Sequence, residues 1–109
     1  MTIQLPKAIQ TYFEADRTGS PDAVAAAFVE SGVVKDKGKT YRGRGAIREW
    51  MVEAGQLYTY TVEPFFMGIE GGKTQVTAHV AGTFPGSPID LRFLFVLADD
   101  KVAELEVTV

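Results

Sequence analysis

The chain predicts an α+β fold in which three N-terminal helices pack on one side of a curved, mostly antiparallel sheet. Three observations carry that prediction. Apolar residues recur at helical spacing up to about Ala54, β-prone residues replace that spacing from Leu57 onward, and clusters of Gly and Pro separate the strand-like runs. The length of 109 residues suits one domain with one core, spanning residues 1-109.

From Pro6 to about Arg17 the chain reads as a helix. Leu5, Ile9, Tyr12, Phe13 and Asp16 recur at its spacing, and Pro6 suits a first-turn position. Gly19 stops this run. Ser20-Pro21-Asp22 restarts it, with Ser20 as cap, Pro21 at the first helical position and Asp22 near the free amide ends. The second helix is expected from Ala23 to about Glu30, with Val24, Ala27 and Phe28 facing inward. Gly32 ends it, Val33-Val34-Lys35-Asp36 forms a short strand, and Lys37-Gly38-Lys39 makes a polar turn. A third helix follows Gly43, its apolar face built from Ala46, Ile47, Trp50, Met51 and Ala54, and Gly55 is placed to end it.

Leu57 to Ile69 then reads as a strand, Gly71-Gly72 as a hairpin turn and Lys73 to Thr83 as a second strand. Pro85-Gly86-Ser87-Pro88 interrupts the pattern, Ile89 to Leu97 resumes it, and Asp99-Asp100 turns the chain into Lys101 to Val109. Leu91, Phe93, Phe95 and Leu97 share one parity, while Leu94 and Val96 lie on the other. A sheet apolar on both faces needs a second cover, so a homodimer is expected.

Composition narrows the function. The apolar fraction is 46%, with seven Phe, four Tyr and one Trp available for a core or for cavity walls. A net charge of -3, with no basic stretch beyond the mild Lys35 to Arg48 region, supplies no footprint for nucleic acid. The absence of Cys removes disulfides and thiolate chemistry, and the single His leaves no multi-histidine metal site. No metal or cofactor is therefore expected. The Met1 to Lys7 segment lacks the features of a secretory signal, and no run approaches a membrane span, so a soluble cytoplasmic protein is expected. There is no phosphate-binding glycine loop, serine elbow or dinucleotide fingerprint.

Three polar residues stand out against this apolar background. Tyr12 lies among apolar residues of the first helix, as a core phenol or as a ligand contact. Asp36 ends the short strand, as a turn acid or as a carboxylate at a cavity mouth that collects a proton from a carbon acid. Asp90 interrupts the most hydrophobic stretch, Ile89 to Leu97. It either faces outward, paired with an arginine such as Arg92, or sits in a pocket as a protonated donor to a developing enolate. His79 shares its parity with Gln75 and Thr77, and the three form a polar wall if they face inward. Phe13, Phe28, Trp50, Met51 and Phe65 are further candidates for the pocket lining, although core packing accounts equally for Trp50 and Met51. Arg42 and Arg44, next to a helix start, form a candidate anion site.

The order of these segments resembles the nuclear transport factor 2-like superfamily, particularly its SnoaL-like group. The resemblance rests on Ile9 to Phe13, the Ser20-Pro21-Asp22 helix start, Phe28 through Asp36, Tyr41 through Trp50, and the closing strands with Asp99-Asp100-Lys101-Val102. It implies a cone-like α+β fold with a cavity between helices and bent sheet, often dimeric. The first third also resembles ketosteroid isomerase. That likeness implies Tyr12 as a donor to the enolate oxygen, Asp36 as the proton-moving base and Asp90, within Pro88-Ile89-Asp90, as the second oxyanion donor. Aligning the final hairpin instead puts Arg92 at the second acid's place. Three functions remain open: a small-molecule-binding cavity, an isomerase-like or cyclase-like enzyme acting on an apolar molecule with a carbonyl, and a protein-interaction domain whose cavity is plugged.

Overall fold

Three helices and six strands follow in the order α1 Lys7–Thr18, α2 Pro21–Ala26, β1 Phe28–Asp36, β2 Lys39–Arg42, α3 Arg44–Leu57, β3 Tyr60–Glu70, β4 Lys73–Gly82, β5 Ile89–Ala98 and β6 Lys101–Thr108. They are seen in a computed structural model that describes residues 3–109; Met1 and Thr2, part of the segment read for a secretory signal, lie outside these residues. The strands form one sheet in the order β2-β1-β6-β5-β4-β3, antiparallel throughout except for the parallel β1–β6 pair. Among the described residues no helix is long and apolar enough to cross a membrane.

Local chemistry sets most of the boundaries. Gly19 closes α1 in the left-handed region at φ 71°, and its N–H donates to the Asp16 carbonyl. Ser20 caps α2 by accepting from the Ala23 N–H at 3.2 Å, with Pro21 in the first turn. Lys37 and Gly38, at φ 52° and 76°, make the two-residue turn that joins β1 to β2.

Three expectations are corrected. The second helix stops at Ala26, because the Val102 N–H bonds to the Ala27 carbonyl at 2.9 Å and Phe28 pairs with Val102. Sheet pairing thus takes residues whose spacing also suited a helix. Lys39–Arg42 is a strand, held against Val33 to Asp36, where a turn was expected to end at Lys39. Gly55 does not end α3, which runs two residues further to Leu57. A side chain at Gly55 would meet nothing within 4 Å, so the residue carries only the propensity cost of glycine in a helix, about 1 kcal/mol.

Helices and sheet meet in one apolar layer. Ile9, Val24, Phe28, Val34, Ile47, Phe95 and Leu105 are almost wholly buried in it. Tyr12, Phe13, Phe93 and Phe95 form an aromatic group with most rings meeting edge to face, at centroid separations of 5.2 Å for Phe13–Phe93 and 5.6 Å for Tyr12–Phe95. Phe93 and Phe95 face this layer, so the intervening Leu94 and the flanking Arg92 and Asp90 point to the other side of β5. At the far end of the sheet Gly82 pairs with Tyr60. A Cβ there would lie 2.2 Å from the Thr59 carbonyl and 2.7 Å from the Tyr60 Cα, so only glycine lets β4 come this close to the start of β3.

Candidate functional site

A cavity of about 900 Å³ opens between α1, α3 and the inner face of the sheet. Its walls are mostly apolar, built from Met51, Val62, Leu91 and Phe93 among others; Tyr12, Asp16, Asp36, Trp50 and Tyr60 bring polar groups to it, and lysines of the β1–β2 hairpin and Glu106 of β6 also line it. The Phe and Met side chains do not fill it, which sets aside the plugged form expected of a purely structural domain.

Each polar group is delivered by a different element. Asp36 lies at the end of β1, two residues beyond the buried Val34, so strand alternation turns its carboxylate inward. The Trp50 indole N–H, from α3, donates to Asp36 Oδ2 at 3.0 Å. Tyr12 projects from α1 with its ring in the aromatic group and only 2% of its surface exposed. Among the described residues no fully buried side-chain polar atom lacks a partner, and the Tyr12 hydroxyl, bonded to none of them, meets the cavity. Burial pushes its pKa well above the ordinary phenol value, and the nearby Asp16, Tyr60 and Asp36 charges act in the same direction. Tyr12 is therefore a phenol at any physiological pH.

Asp16 and Tyr60 form a second polar pair. Asp16 lies one helical turn after Tyr12 on α1, and the Tyr60 hydroxyl, at the start of β3, donates to Asp16 Oδ1 at 3.1 Å. Burial raises the Asp16 pKa, while the Tyr60 hydrogen bond pulls it down. Tyr60 is itself raised, first by burial and then by the charge of Asp16. Neither residue is among the site candidates that the sequence offers. Asp16 was legible as the polar residue sharing the spacing of Ile9, Tyr12 and Phe13, but its partner lies 44 residues away.

The raised Asp16 sets a pH dependence. Below the unfolded pKa, about 3.9, the group is protonated in both folded and unfolded chains and costs nothing. As pH rises through the folded value, the folded state loses stability, by about 1.4 kcal/mol for each pH unit between the two pKa values. Asp16→Asn is therefore expected to be more stable than wild type at neutral pH, with the gap closing as pH falls towards 4. Denaturant unfolding of both proteins over that range measures it, and a gap that widens on acidification contradicts the burial argument.

The structure separates the other site candidates. Asp90 does not face the cavity: it lies on the outer face of β5, about half exposed, with its Oδ1 2.9 Å from His79 Nδ1. Arg92 shares that face, donating to Glu70 at 2.8 and 3.0 Å and to the Val109 carbonyl. Gln75, Thr77 and His79 alternate with the inward Val76, Ala78 and Val80, so this polar row lies on the outer face, where Gln75 donates to Thr77. Phe13 and Phe28 belong to the core beneath the cavity, and Phe65 is exposed on the edge strand β3. Trp50 and Met51 do line the cavity. Arg44 is spent internally, donating through Nε and Nη2 to the Phe28 carbonyl at 3.0 and 2.7 Å, which leaves no anion site with Arg42. Among the described residues no three His, Asp or Glu side chains cluster as a metal site.

Comparison with known proteins agrees with this architecture. The family described as SnoaL-like domain matches residues 9–105. A solved structure from Sinorhizobium meliloti, provisionally named a polyketide cyclase, is 38% identical, with a TM-score of 0.88 and 95% of each chain covered. A Catenulispora acidiphila protein with a ketosteroid isomerase-like fold, solved with trimethylamine, is 18% identical at a TM-score of 0.85, covering 97% of this chain and 87% of its own. The epoxide hydrolase/cyclase-like enzyme SalBIII, connected with pyran ring formation in the polyether salinomycin, is 23% identical at a TM-score of 0.77, covering 94% of this chain and 87% of its own. The last two likenesses concern the fold alone. No curated protein matches the chain.

Proposed function

We propose, given that this chain belongs to the family of SnoaL-like domains, that its cavity binds an apolar small molecule bearing a carbonyl and moves a proton alpha to that carbonyl. The observation carrying this reading is that Tyr12 and Asp36 line one largely apolar cavity, with Trp50 fixing the carboxylate. Asp36 takes the α-proton, the electron pair moves onto the carbonyl oxygen, and Tyr12 donates a hydrogen bond to the charge that develops there. Asp36 then returns the proton to carbon. The Trp50 indole occupies one carboxylate oxygen and so orients the other towards the substrate.

The largely apolar walls lower the effective dielectric around these groups, which strengthens each of these interactions. The name of the Sinorhizobium meliloti relative supports cyclase-type carbon-acid chemistry as the broader class. The test is α-proton exchange in deuterated water, followed by NMR over a panel of cyclic and aromatic ketones. Faster exchange of at least one ketone with wild-type protein is expected, and no acceleration across the panel overturns the enzymatic reading.

We also propose that a second copy of the chain covers the outer face of the sheet, whose inner face curls into a cone around the cavity. Phe66, paired with the outward Thr77, is 53% exposed on that face, and Phe65, Met67 and Ile69 of the same edge strand β3 are exposed beside it, a concentration of apolar surface that a monomer leaves wet. Sedimentation at micromolar concentration is expected to give the mass of a dimer. A monomer removes this assignment.

A further inference from the structure

We propose that Asp16 is the second hydrogen-bond donor of the oxyanion site, binding a ligand oxyanion as its protonated acid beside the Tyr12 hydroxyl, with Tyr60 positioning it. This rests on the reading of the cavity as a carbonyl and enolate site. It supplies from the first helix what Asp90, on the outer face, does not.

The geometry carries the assignment. Tyr12 and Asp16 are four residues apart on α1, so their side chains emerge on one face one turn apart, and both line the cavity. Asp36 lines the same cavity from β1, the strand that leads into the β1–β2 hairpin. A carbonyl compound held at Tyr12 and Asp16 therefore occupies the same cavity as Asp36. The Tyr60 hydroxyl donates to Asp16 Oδ1, so a proton on this acid resides on Oδ2. That oxygen is the one left to donate to a ligand.

The charges around Asp16 favour proton uptake when an anion arrives. Tyr60 from β3 donates to it and Tyr12 lies one turn before it on its own helix, whereas the cationic side chains of the cavity, Lys35, Lys37 and Lys39, come from the β1–β2 hairpin around Asp36. An enolate entering this site meets an acid that burial already biases towards holding its proton. Anion binding and proton binding therefore reinforce each other, as linked equilibria must. Two carboxyl groups take the two roles of acid and base because their surroundings differ: Asp16 sits against a phenol near the helix, whereas Asp36 accepts an indole N–H at the end of a strand.

The probe is 4-nitrophenol, whose absorbance shows whether the bound molecule is phenol or phenolate. Wild-type protein is expected to bind it as phenolate with uptake of one proton, its affinity for the phenolate falling about tenfold per pH unit above the Asp16 pKa. Asp16→Asn keeps an N–H donor but has no proton to take up, so its phenolate affinity is expected to lose that slope. Asp16→Ala is expected to lose both the slope and at least about tenfold in affinity at low pH. Tyr60→Phe is expected to weaken phenolate binding less than Asp16→Ala while keeping the slope, as suits a positioning residue. Wild-type affinity and slope in Asp16→Ala overturn the proposal, and so does a wild type that binds only neutral phenol or none. The ketone exchange assay reports on Asp36 separately, so either assignment fails without the other.

Discussion

Asp36→Asn is expected to slow ketone α-proton exchange by about a hundred- to ten-thousand-fold, the span usually lost with a positioned general base. The amide has the size of the carboxylate and still offers an oxygen to the Trp50 N–H, so the hydrogen bond seen at 3.0 Å has a replacement and the fold is expected to hold. What the amide lacks is a lone pair basic enough to take a proton from carbon. Thermal unfolding within a few degrees of wild type, with exchange lost, is the expected pair of results. Exchange at the wild-type rate removes Asp36 from the role of base.

Phe95→Ala carries the largest expected effect on stability, about 3–5 kcal/mol. Phe95 is 1% exposed and packs against Tyr12, Phe13 and Phe93, so truncation leaves a void that a close-packed layer refills only in part. Domains of this size are stable by about 5–15 kcal/mol in total, so a loss on that scale is a large share of the whole. The same void lies directly behind the Tyr12 ring, and the phenol is expected to lose its fixed direction into the cavity. Denaturant unfolding measures the first effect and weakened nitrophenolate binding the second. A loss below about 1 kcal/mol means that the aromatic layer collapses onto the void.

The parts of the fold legible in the sequence were those set by local chemistry. Ser20-Pro21 carries a helix start in its own side chains, and Gly71-Gly72 carries the turn between β3 and β4. Ala27 to Glu30 was not legible in the same way. Val24, Ala27 and Phe28 suit a helix by spacing, and what decides against it is Val102, some 75 residues downstream in the partner strand. Lys39–Arg42 is a strand because β1 lies beside it, and nothing in its polar composition requires that.

The site divides along the same line. Tyr12 and Asp36 could be named from their positions on a helix and at a strand end. The direction of Asp90 was not settled by the chain alone, because both parities of this stretch are apolar; the packing of Phe93 and Phe95 against the helices leaves its even-numbered residues outside. Its place in an alternating strand outweighs its resemblance to an isomerase acid. The Asp16–Tyr60 and Asp36–Trp50 pairs join elements that only the folded chain brings together.

Trp50 is the sole tryptophan of the chain, and its indole N–H donates to the carboxylate proposed as the base. Indole emission responds to the surroundings of its ring nitrogen, so a ligand that reaches Asp36 is expected to change the protein's own fluorescence. Occupancy of this cavity can therefore be followed in real time, without a label, from within the cavity itself.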